Sequence, residues 1–177
     1  MTAVIGAVDQ LDALVAQLLH FSRADGGERH PVDLGRLVAE SLDLVQARAA
    51  GQGVTLERDL KPDLPPVPGA VNALRQVALN LLANALQAMP RGGRLRCSTR
   101  DRPSEGAIEL RVEDTGHGIA EADRPRLFEP FFTTRPAGTG LGLALCREIV
   151  LGHGGRIELE SSGPCGSVFL VVLPART

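Results

Sequence analysis

The sequence predicts an α+β fold of two layers, in which helices cover one face of a mixed, mainly antiparallel sheet. Two observations carry this prediction: helical periodicity dominates the first half of the 177-residue chain, and strand-like alternation dominates the second half. A chain of this length can bury roughly 70% of the surface that it exposes when unfolded. A hydrophobic core is therefore expected.

The predicted helices have apolar residues at steps of three and four. They cover residues 5–23, 33–50, 71–89 and 140–151. Asp33 is the expected N-cap of the second helix, because its side chain can accept a hydrogen bond from the first turn. The first helix ends at the glycine-rich segment 24–31, and the last follows a run of alternating glycines.

The predicted strands alternate apolar and polar residues. They cover residues 54–60, 94–100 and 107–114, followed by two strands around a glycine and serine turn within 152–174. Ile108, Leu110 and Val112 are expected to face the core, with the charged residues between them facing outward. The proline-rich segment 61–69 is expected to form no regular element.

Composition argues against several classes of protein. The net charge is −2 and the chain has no Trp or Tyr, which is unlike a nucleic-acid-binding surface. Cys97, Cys146 and Cys165 are odd in number and lack CxxC spacing, so buried, reduced thiols are expected rather than disulfides or zinc ligands. The chain has no long apolar run and no leader-like segment, so we expect a cytoplasmic location without membrane contact.

Asn80 and Asn84 lie one helical turn apart on the predicted helix 71–89, among leucines and alanines. Buried amides require hydrogen-bond partners. One interpretation is that both amides satisfy main-chain groups in the core. The other is that an amide oxygen is a ligand for Mg²⁺, which prefers oxygen donors. This pair by itself favours neither interpretation.

Asp114 ends a predicted strand, and Gly116 and Gly118 then allow the backbone to turn and to approach a ligand closely. A solvated turn would explain this pattern. A buried Asp114 would instead require a donor, and the amino group of an adenine is a suitable one. A hydrogen bond to a charged group contributes about 1.5 to 3 kcal/mol, enough to select a base.

Gly138, Gly140 and Gly142 alternate immediately before the last predicted helix. Glycines at a helix start suit phosphate, because main-chain N–H groups and the helix dipole both face the anion. The segment lacks the P-loop pattern, and it follows a proline-broken loop rather than the strand that a dinucleotide-binding fingerprint requires. A glycine hinge is the alternative.

Five segments together carry a resemblance. In order they are NLLANALQAMPRGG, EDTGHGI, LFEPFFTT, GTGLGLALC and GHGGRIELESSGPCGSVFLVVLP. They resemble the N, G1, F and G2 boxes and the closing hairpin of the ATP-binding catalytic domain of sensor histidine kinases, nearest to the nitrogen-regulation type. That domain has the Bergerat-type fold of the gyrase, Hsp90 and MutL ATPases. The resemblance spans about residues 31–177.

The resemblance also implies a domain organisation. Residues 1–25 are similar to the second helix of the dimerisation hairpin, which implies a possible homodimer through this helix. Residues 26–32 would be a linker, and residues 33–177 the ATP-binding domain. Kinases of this type carry the phosphoacceptor histidine on the first helix of the hairpin, and no such segment is present in these 177 residues.

The resemblance implies ATP and Mg²⁺ as cofactors and gives roles to the asparagine pair, to Asp114 and to the glycine run before the last predicted helix. Asp114 would accept the adenine amino proton, and Asn84 would ligate Mg²⁺ with Asn80 supporting it. Arg135, in a lid of about residues 120–139, could reach the terminal phosphates or could be a solvated charge of the lid. The implied nucleotide-binding set is completed by Gly116, Gly118, Ile119, Phe128, Thr134, Gly138, Thr139, Gly140, Leu141, Gly142, Leu143 and Ser167. Phe128, Phe131 and Phe132 would anchor the lid by packing.

Two departures from related patterns have consequences. Hydrolases of this fold place a glutamate where this chain has Asn80, and an amide cannot act as a general base. Transfer of phosphate to a partner is therefore expected rather than hydrolysis. Ala70 replaces the aspartate that is common before the N-box helix, which predicts a weaker helix start.

The expected function is transfer of the γ-phosphoryl group of ATP to a histidine in two-component signalling. The expected partners are a histidine-bearing dimerisation domain and a response regulator. Two other functions stay open at this point: a regulatory module that binds nucleotide without transfer, and an anti-sigma-factor-type serine kinase.

Overall fold

The computed structural model describes residues 29–135 and 138–175, so the predicted helix within residues 1–25 lies outside the described part. The described residues form three α-helices: α1 (Leu34–Gly51), α2 (Val71–Ala88) and α3 (Gly142–Gly152). The strands are β1 (His30–Val32), β2 (Val54–Leu60), β3 (Val67–Gly69), β4 (Gly93–Arg102), β5 (Ala107–Asp114), β6 (Arg156–Gly163) and β7 (Gly166–Pro174). Short 3₁₀ turns span Pro103–Glu105 and Glu121–Arg126.

The main sheet has the strand order β2-β4-β5-β7-β6. Strands β2 and β4 are parallel, and the other neighbours are antiparallel. Strands β1 and β3 form a separate antiparallel pair. The prediction of a mixed, mainly antiparallel sheet is confirmed, and the helices pack on one face of that sheet.

The core lies between the helices and the inner face of the sheet. Strand β5 alternates as predicted: Ile108, Leu110 and Val112 are 0%, 2% and 3% exposed. Leu95 and Cys97 extend this inner face onto β4. Because the side chains of a strand alternate between faces, the residue after Val112 on the inner face is Asp114, so the pattern that builds the core also buries a carboxylate.

The three thiols differ in exposure. Cys97 and Cys146 are buried, and burial raises the pKa of each thiol to about 12, so both stay protonated at neutral pH. Cys165 is free but exposed in the turn between β6 and β7, which corrects the expectation that all three are buried.

The proline-rich segment is more regular than predicted. Strand β3 lies inside it, and its partner β1 lies inside the predicted linker of residues 26–32. Pro68 faces Pro31 in this pair. Proline is tolerated here because a two-stranded ribbon consists of edge strands, where a missing N–H donor leaves no neighbour unpaired.

Helix α3 begins two residues later than predicted. Gly140 has a φ of +68°, in the left-handed region that a right-handed helix cannot contain. Gly142 is therefore the first helical residue. Among the described residues, no helix has the length and hydropathy needed to span a membrane.

The predicted cap of α1 is confirmed, because the Asp33 side chain accepts a hydrogen bond from Arg36 N–H at 2.9 Å. We expect Asp33→Ala to lower the free energy of unfolding by about 1 kcal/mol, because this donor loses its partner. Asp33→Ser is the matched control, since it keeps a capping oxygen. Equal urea midpoints for the alanine variant and the wild type would contradict this prediction.

Candidate functional site

A cavity of about 600 Å³ opens between helix α2, the end of β5 and the segment that leads into α3. Most of the sequence-predicted site residues line it. They are Asn80, Asn84, Asp114, Gly118, Ile119, Thr134, Arg135, Gly138, Thr139, Gly140, Gly142, Leu143 and Ser167. The asparagine pair, Asp114 and the glycine run therefore meet in one place, although they are far apart in the sequence.

Helix α2 contributes a polar face to the cavity. Its buried residues repeat at helical spacing, and the cavity side carries Asn80, Asn84 and Gln87 at steps of four and three. Asn80 Nδ2 donates to Gly142 O at 3.2 Å, and its Oδ1 accepts from Gln76 at 3.0 Å. The Asn80 amide therefore ties α2 to the first residue of α3.

Asn84 and Arg135 are bonded to each other on the wall of the cavity. The guanidinium of Arg135 donates to Asn84 Oδ1 at 3.3 Å and also bonds Gln87 Oε1. Burial lowers the pKa of Arg135, and the charge of Asp114 opposes that shift. The Asn84 oxygen that could serve as a metal ligand thus accepts from a lid cation in this structure.

Asp114 is a buried carboxylate in the wall of the cavity. It is 5% exposed, and its Oδ1 accepts from Gly116 N–H at 2.8 Å. Burial raises the pKa of the carboxyl. Smaller effects lower that pKa: hydrogen bonds from the main-chain N–H groups of Gly116 and Ser167, and the charges of His117 and Arg135. The carboxylate is partly satisfied by main-chain donors and still reaches the cavity.

The loop after β5 is held against the β6–β7 hairpin. Ile119 N–H donates to Ser162 Oγ at 2.8 Å, and that hydroxyl lies 2.9 Å from the Ser167 hydroxyl. Gly118 has a φ of +70°, and a Cβ there would lie 1.8 Å from Gly163 O. Only glycine permits this approach, so the motif glycine is required by the packing of the loop.

The glycine-rich segment before α3 folds against the phenylalanine segment. A Cβ on Gly140 would lie 2.4 Å from the carbonyl carbon of Phe131. Leu141 N–H donates to Thr139 Oγ1 at 3.4 Å. The N-cap of α3, Leu141, makes no side-chain cap bond, and the first helical residues, Gly142 and Leu143, line the cavity.

Three predicted nucleotide-binding residues do not line the cavity. Gly116 packs on the end of α2, where a Cβ would lie 2.5 Å from Ala88 O. Phe128 packs against the hydrophobic core, and Leu141 is 7% exposed beneath the glycine segment. In this structure these three residues therefore lie behind the cavity wall, and their contact with a nucleotide stays a prediction.

The three phenylalanines of the lid differ. Phe128 packs as predicted, whereas Phe131 is 67% exposed with a φ of +65° and anchors nothing. Phe132 lines the cavity, and the Arg126 guanidinium lies 4.4 Å above its ring. The prediction was wrong for Phe131 because a turn places it outward.

Several lining residues were not predicted as ligands. They include Ala83, Gln87, Ala88, His117, Ala120, Asp123, Leu127 and Phe169. Gln87 could have been found, since it lies three residues after Asn84 on the same helix face. Phe169 could not have been found, because its place in the cavity wall depends on how β7 pairs with β5.

Comparison with known proteins identifies the family of the chain. The family described as histidine kinase-, DNA gyrase B- and HSP90-like ATPase matches residues 69–177. The chain is 36% identical over 174 residues to the signal transduction histidine-protein kinase AtoS of Escherichia coli K12. This match covers 98% of the chain and 28% of AtoS, so the chain spans about a quarter of that relative's length.

Solved structures give the same result. Full-length ShkA in complex with AMPPNP has a TM-score of 0.86 at 29% identity, covering 99% of this chain and 38% of ShkA. Histidine kinase ThkA in complex with the response regulator protein TrrA has a TM-score of 0.81 at 25% identity, covering 98% of this chain and 50% of that one. The chain therefore belongs to the histidine kinase-, DNA gyrase B- and HSP90-like ATPase family, within which it is the ATP-binding catalytic domain of a sensor histidine kinase.

Proposed function

We propose that this chain binds Mg·ATP in the cavity and transfers the γ-phosphoryl group to a histidine of a sensor histidine kinase, in the cytoplasm, where ATP is available. The observation that carries the proposal is the convergence of a buried carboxylate, a helix-borne amide and a bare glycine segment on one cavity. The ATP analogue in the ShkA structure supports the same ligand class.

The base would lie at the Asp114 end. An ionised carboxylate is an acceptor, and the amino group of adenine is a donor. Guanine has an oxygen at the corresponding position, which would repel the carboxylate. This geometry supports selection of adenine nucleotides by one hydrogen bond, assisted by the Ser167 and Ile119 side of the pocket.

The phosphates would lie at the other end, between the start of α3 and Arg135. Main-chain N–H groups from Gly142 onward and the helix dipole favour an anion there. Asn84 Oδ1 is a hard oxygen donor of the kind that Mg²⁺ accepts, so the residues present fit this metal. Bound Mg²⁺ would neutralise charge on the phosphates, and Arg135 would move from Asn84 toward them.

Asn80 supports transfer rather than hydrolysis. Its Nδ2 is committed to Gly142 O and its Oδ1 to Gln76, so the side chain presents no base to a water molecule. Catalysis would then depend on holding the γ-phosphate near an incoming imidazole and on neutralising its charge. The acceptor would come from a histidine-bearing dimerisation domain, with a response regulator downstream, as the ThkA complex suggests for its own regulator.

A transfer assay tests the proposal. The chain is incubated with Mg²⁺, γ-labelled ATP and the histidine-bearing hairpin of a sensor kinase, supplied separately. Acid-labile label on the hairpin is expected. Nucleotide binding without label on any acceptor would instead identify a regulatory binding module, and label on serine would identify an anti-sigma-factor-type kinase.

Asp114→Asn is expected to weaken ATP binding by about ten- to hundredfold, the size of a hydrogen bond to a charged group. The same variant is expected to be more stable than the wild type at pH 7. Because burial raises the folded pKa of this carboxyl, the carboxyl stabilises the fold below its unfolded pKa, and this stability is lost as the pH rises through the folded pKa. An amide carries no charge, so the substitution removes the cost of burying a charge. Calorimetry and urea unfolding measure the two effects.

The control for this pair of effects is Asp43→Asn, on the exposed side of α1, where neither quantity should change. Unchanged ATP affinity in Asp114→Asn would contradict the base-binding role. Lower stability at pH 7 would contradict the electrostatic account of the buried carboxyl.

Arg135→Ala is expected to weaken ATP binding by about tenfold and ADP binding much less, because a charge-assisted contact to the terminal phosphate is lost. Arg36→Ala, which removes an exposed arginine from α1, is the matched control. Isothermal titration with each nucleotide measures the difference. Equal losses for ATP and ADP would contradict a terminal-phosphate contact.

A further inference from the structure

Helix α2, which carries the site amides, begins without a cap of its own. Its N-cap is Ala70, whose methyl group cannot accept a hydrogen bond. The Ala70 N–H donates instead to Nε2 of His153, at 3.0 Å. This acceptor belongs to the C-cap residue of α3, 83 positions away in sequence. The start of α2 is therefore capped by a side chain from another helix.

The same imidazole also caps the end of α3. His153 Nδ1 lies 2.7 Å from Ile149 O, and the His153 main-chain N–H donates to that oxygen as well, at 3.1 Å. A carbonyl oxygen can only accept, so Nδ1 carries the proton. Nε2 accepts from an amide N–H, so it carries none. These partners assign His153 as a neutral imidazole that is protonated on Nδ1.

The packing around the ring leaves little freedom. His153 is 9% exposed. A Cβ on Gly69 would lie 3.0 Å from the ring Cδ2 and 2.7 Å from a Leu74 methyl carbon. A glycine immediately before Ala70 is therefore what lets the imidazole reach the start of α2.

Two further contacts join α2 to α3 nearer the nucleotide cavity. Asn80 Nδ2 bonds Gly142 O at 3.2 Å, and Cys146 Sγ bonds Val77 O at 3.8 Å. Together with the Ala70–His153 bond they form a series of three cross-links, which we call the polar ladder. Its order shows that the two helices run antiparallel, since positions on α2 fall as positions on α3 rise.

The spacing of the polar ladder is consistent on both helices. At 1.5 Å per residue, Ala70 to Asn80 spans about 15 Å along α2, and Gly142 to His153 spans about 16 Å along α3. The outer cross-links thus join the start and the middle of α2 to the end and the start of α3 without a register mismatch. A slide of α2 along α3 would break both.

We propose that His153 is a positioning residue for the nucleotide site, a proposal that rests on the nucleotide binding proposed above. By capping α2 and α3 together, it sets the axial register that brings Asn84 opposite the phosphate-binding start of α3. It touches no ligand, since it lies at the far end of the helix pair from the cavity.

Three variants test this role in the full chain. His153→Leu removes both ring contacts. Ala70→Pro removes the partner N–H and places its ring Cδ against Nε2, so it displaces the imidazole without changing any residue of α3, and the φ of −84° at Ala70 is close to the range of proline. His153→Gln keeps one donor and one acceptor and is the conservative rescue. Val38→Ala, in the buried face of α1, is the control for loss of stability without loss of the ladder.

Affinity for a non-hydrolysable ATP analogue with Mg²⁺ is measured by calorimetry at a temperature where each variant is folded. His153→Leu and Ala70→Pro are expected to bind about tenfold more weakly, as for residues that orient a ligand-bearing group. His153→Gln and Val38→Ala should bind like the wild type. Wild-type affinity in Ala70→Pro, or an equal loss in Val38→Ala, would overturn the proposal.

A spectroscopic measurement keeps the test independent of the variants' folding. In ¹⁵N spectra of the histidines of the wild-type chain, His153 should be protonated on Nδ1 and not on Nε2, and a proton on Nε2 would overturn the assignment. If the wild-type chain binds no nucleotide at all, the proposed function fails, whereas the ring assignment is still decided by this spectrum.

Discussion

The placement of Asp114 depends on the two-residue period of a β-strand, and the rest of the site is arranged around that placement. In β5 the residues at 108, 110 and 112 are apolar and buried, so position 114 also faces the helices. A carboxylate there has lost most of its water. It is tolerated because β5 ends at that residue and the chain turns to supply the Gly116 N–H.

The turn after β5 then determines what can surround the carboxylate. Gly116 must lie against Ala88 at the end of α2, and Gly118 against Gly163 in the β6–β7 hairpin. Each contact is too close for a side chain. The loop is consequently fixed between a helix and a hairpin, and the cavity has a rigid floor on one side and the glycine segment before α3 on the other.

Strongly periodic elements could be predicted from the sequence, because the spacing of the apolar residues in a helix or strand indicates which face is buried. The helices α1 and α2 and strand β5 were predicted nearly to the residue. The β1–β3 pair was missed, because proline propensity argues against strands and the pairing partner is remote. The capping of α2 was also missed: Ala70 predicts a weak start, and nothing local indicates that His153 supplies the acceptor.

The cavity is lined by the Asp114 carboxylate and the Arg135 guanidinium, and these charges distinguish between the orientations of a ligand. Asp114, Arg135 and the Gly142 start of α3 all line this cavity. Burial raises the pKa of Asp114 and lowers that of Arg135, which favours the neutral form of each. The charge of each group opposes the shift of the other. A ligand with an amino-bearing base and an anionic tail can pair with both the carboxylate and the guanidinium in one orientation, whereas the reversed orientation brings phosphate to the carboxylate. Because charges interact strongly in a partly desolvated cavity, this difference supports the orientation proposed above, with the base at Asp114 and the phosphates toward Asn84.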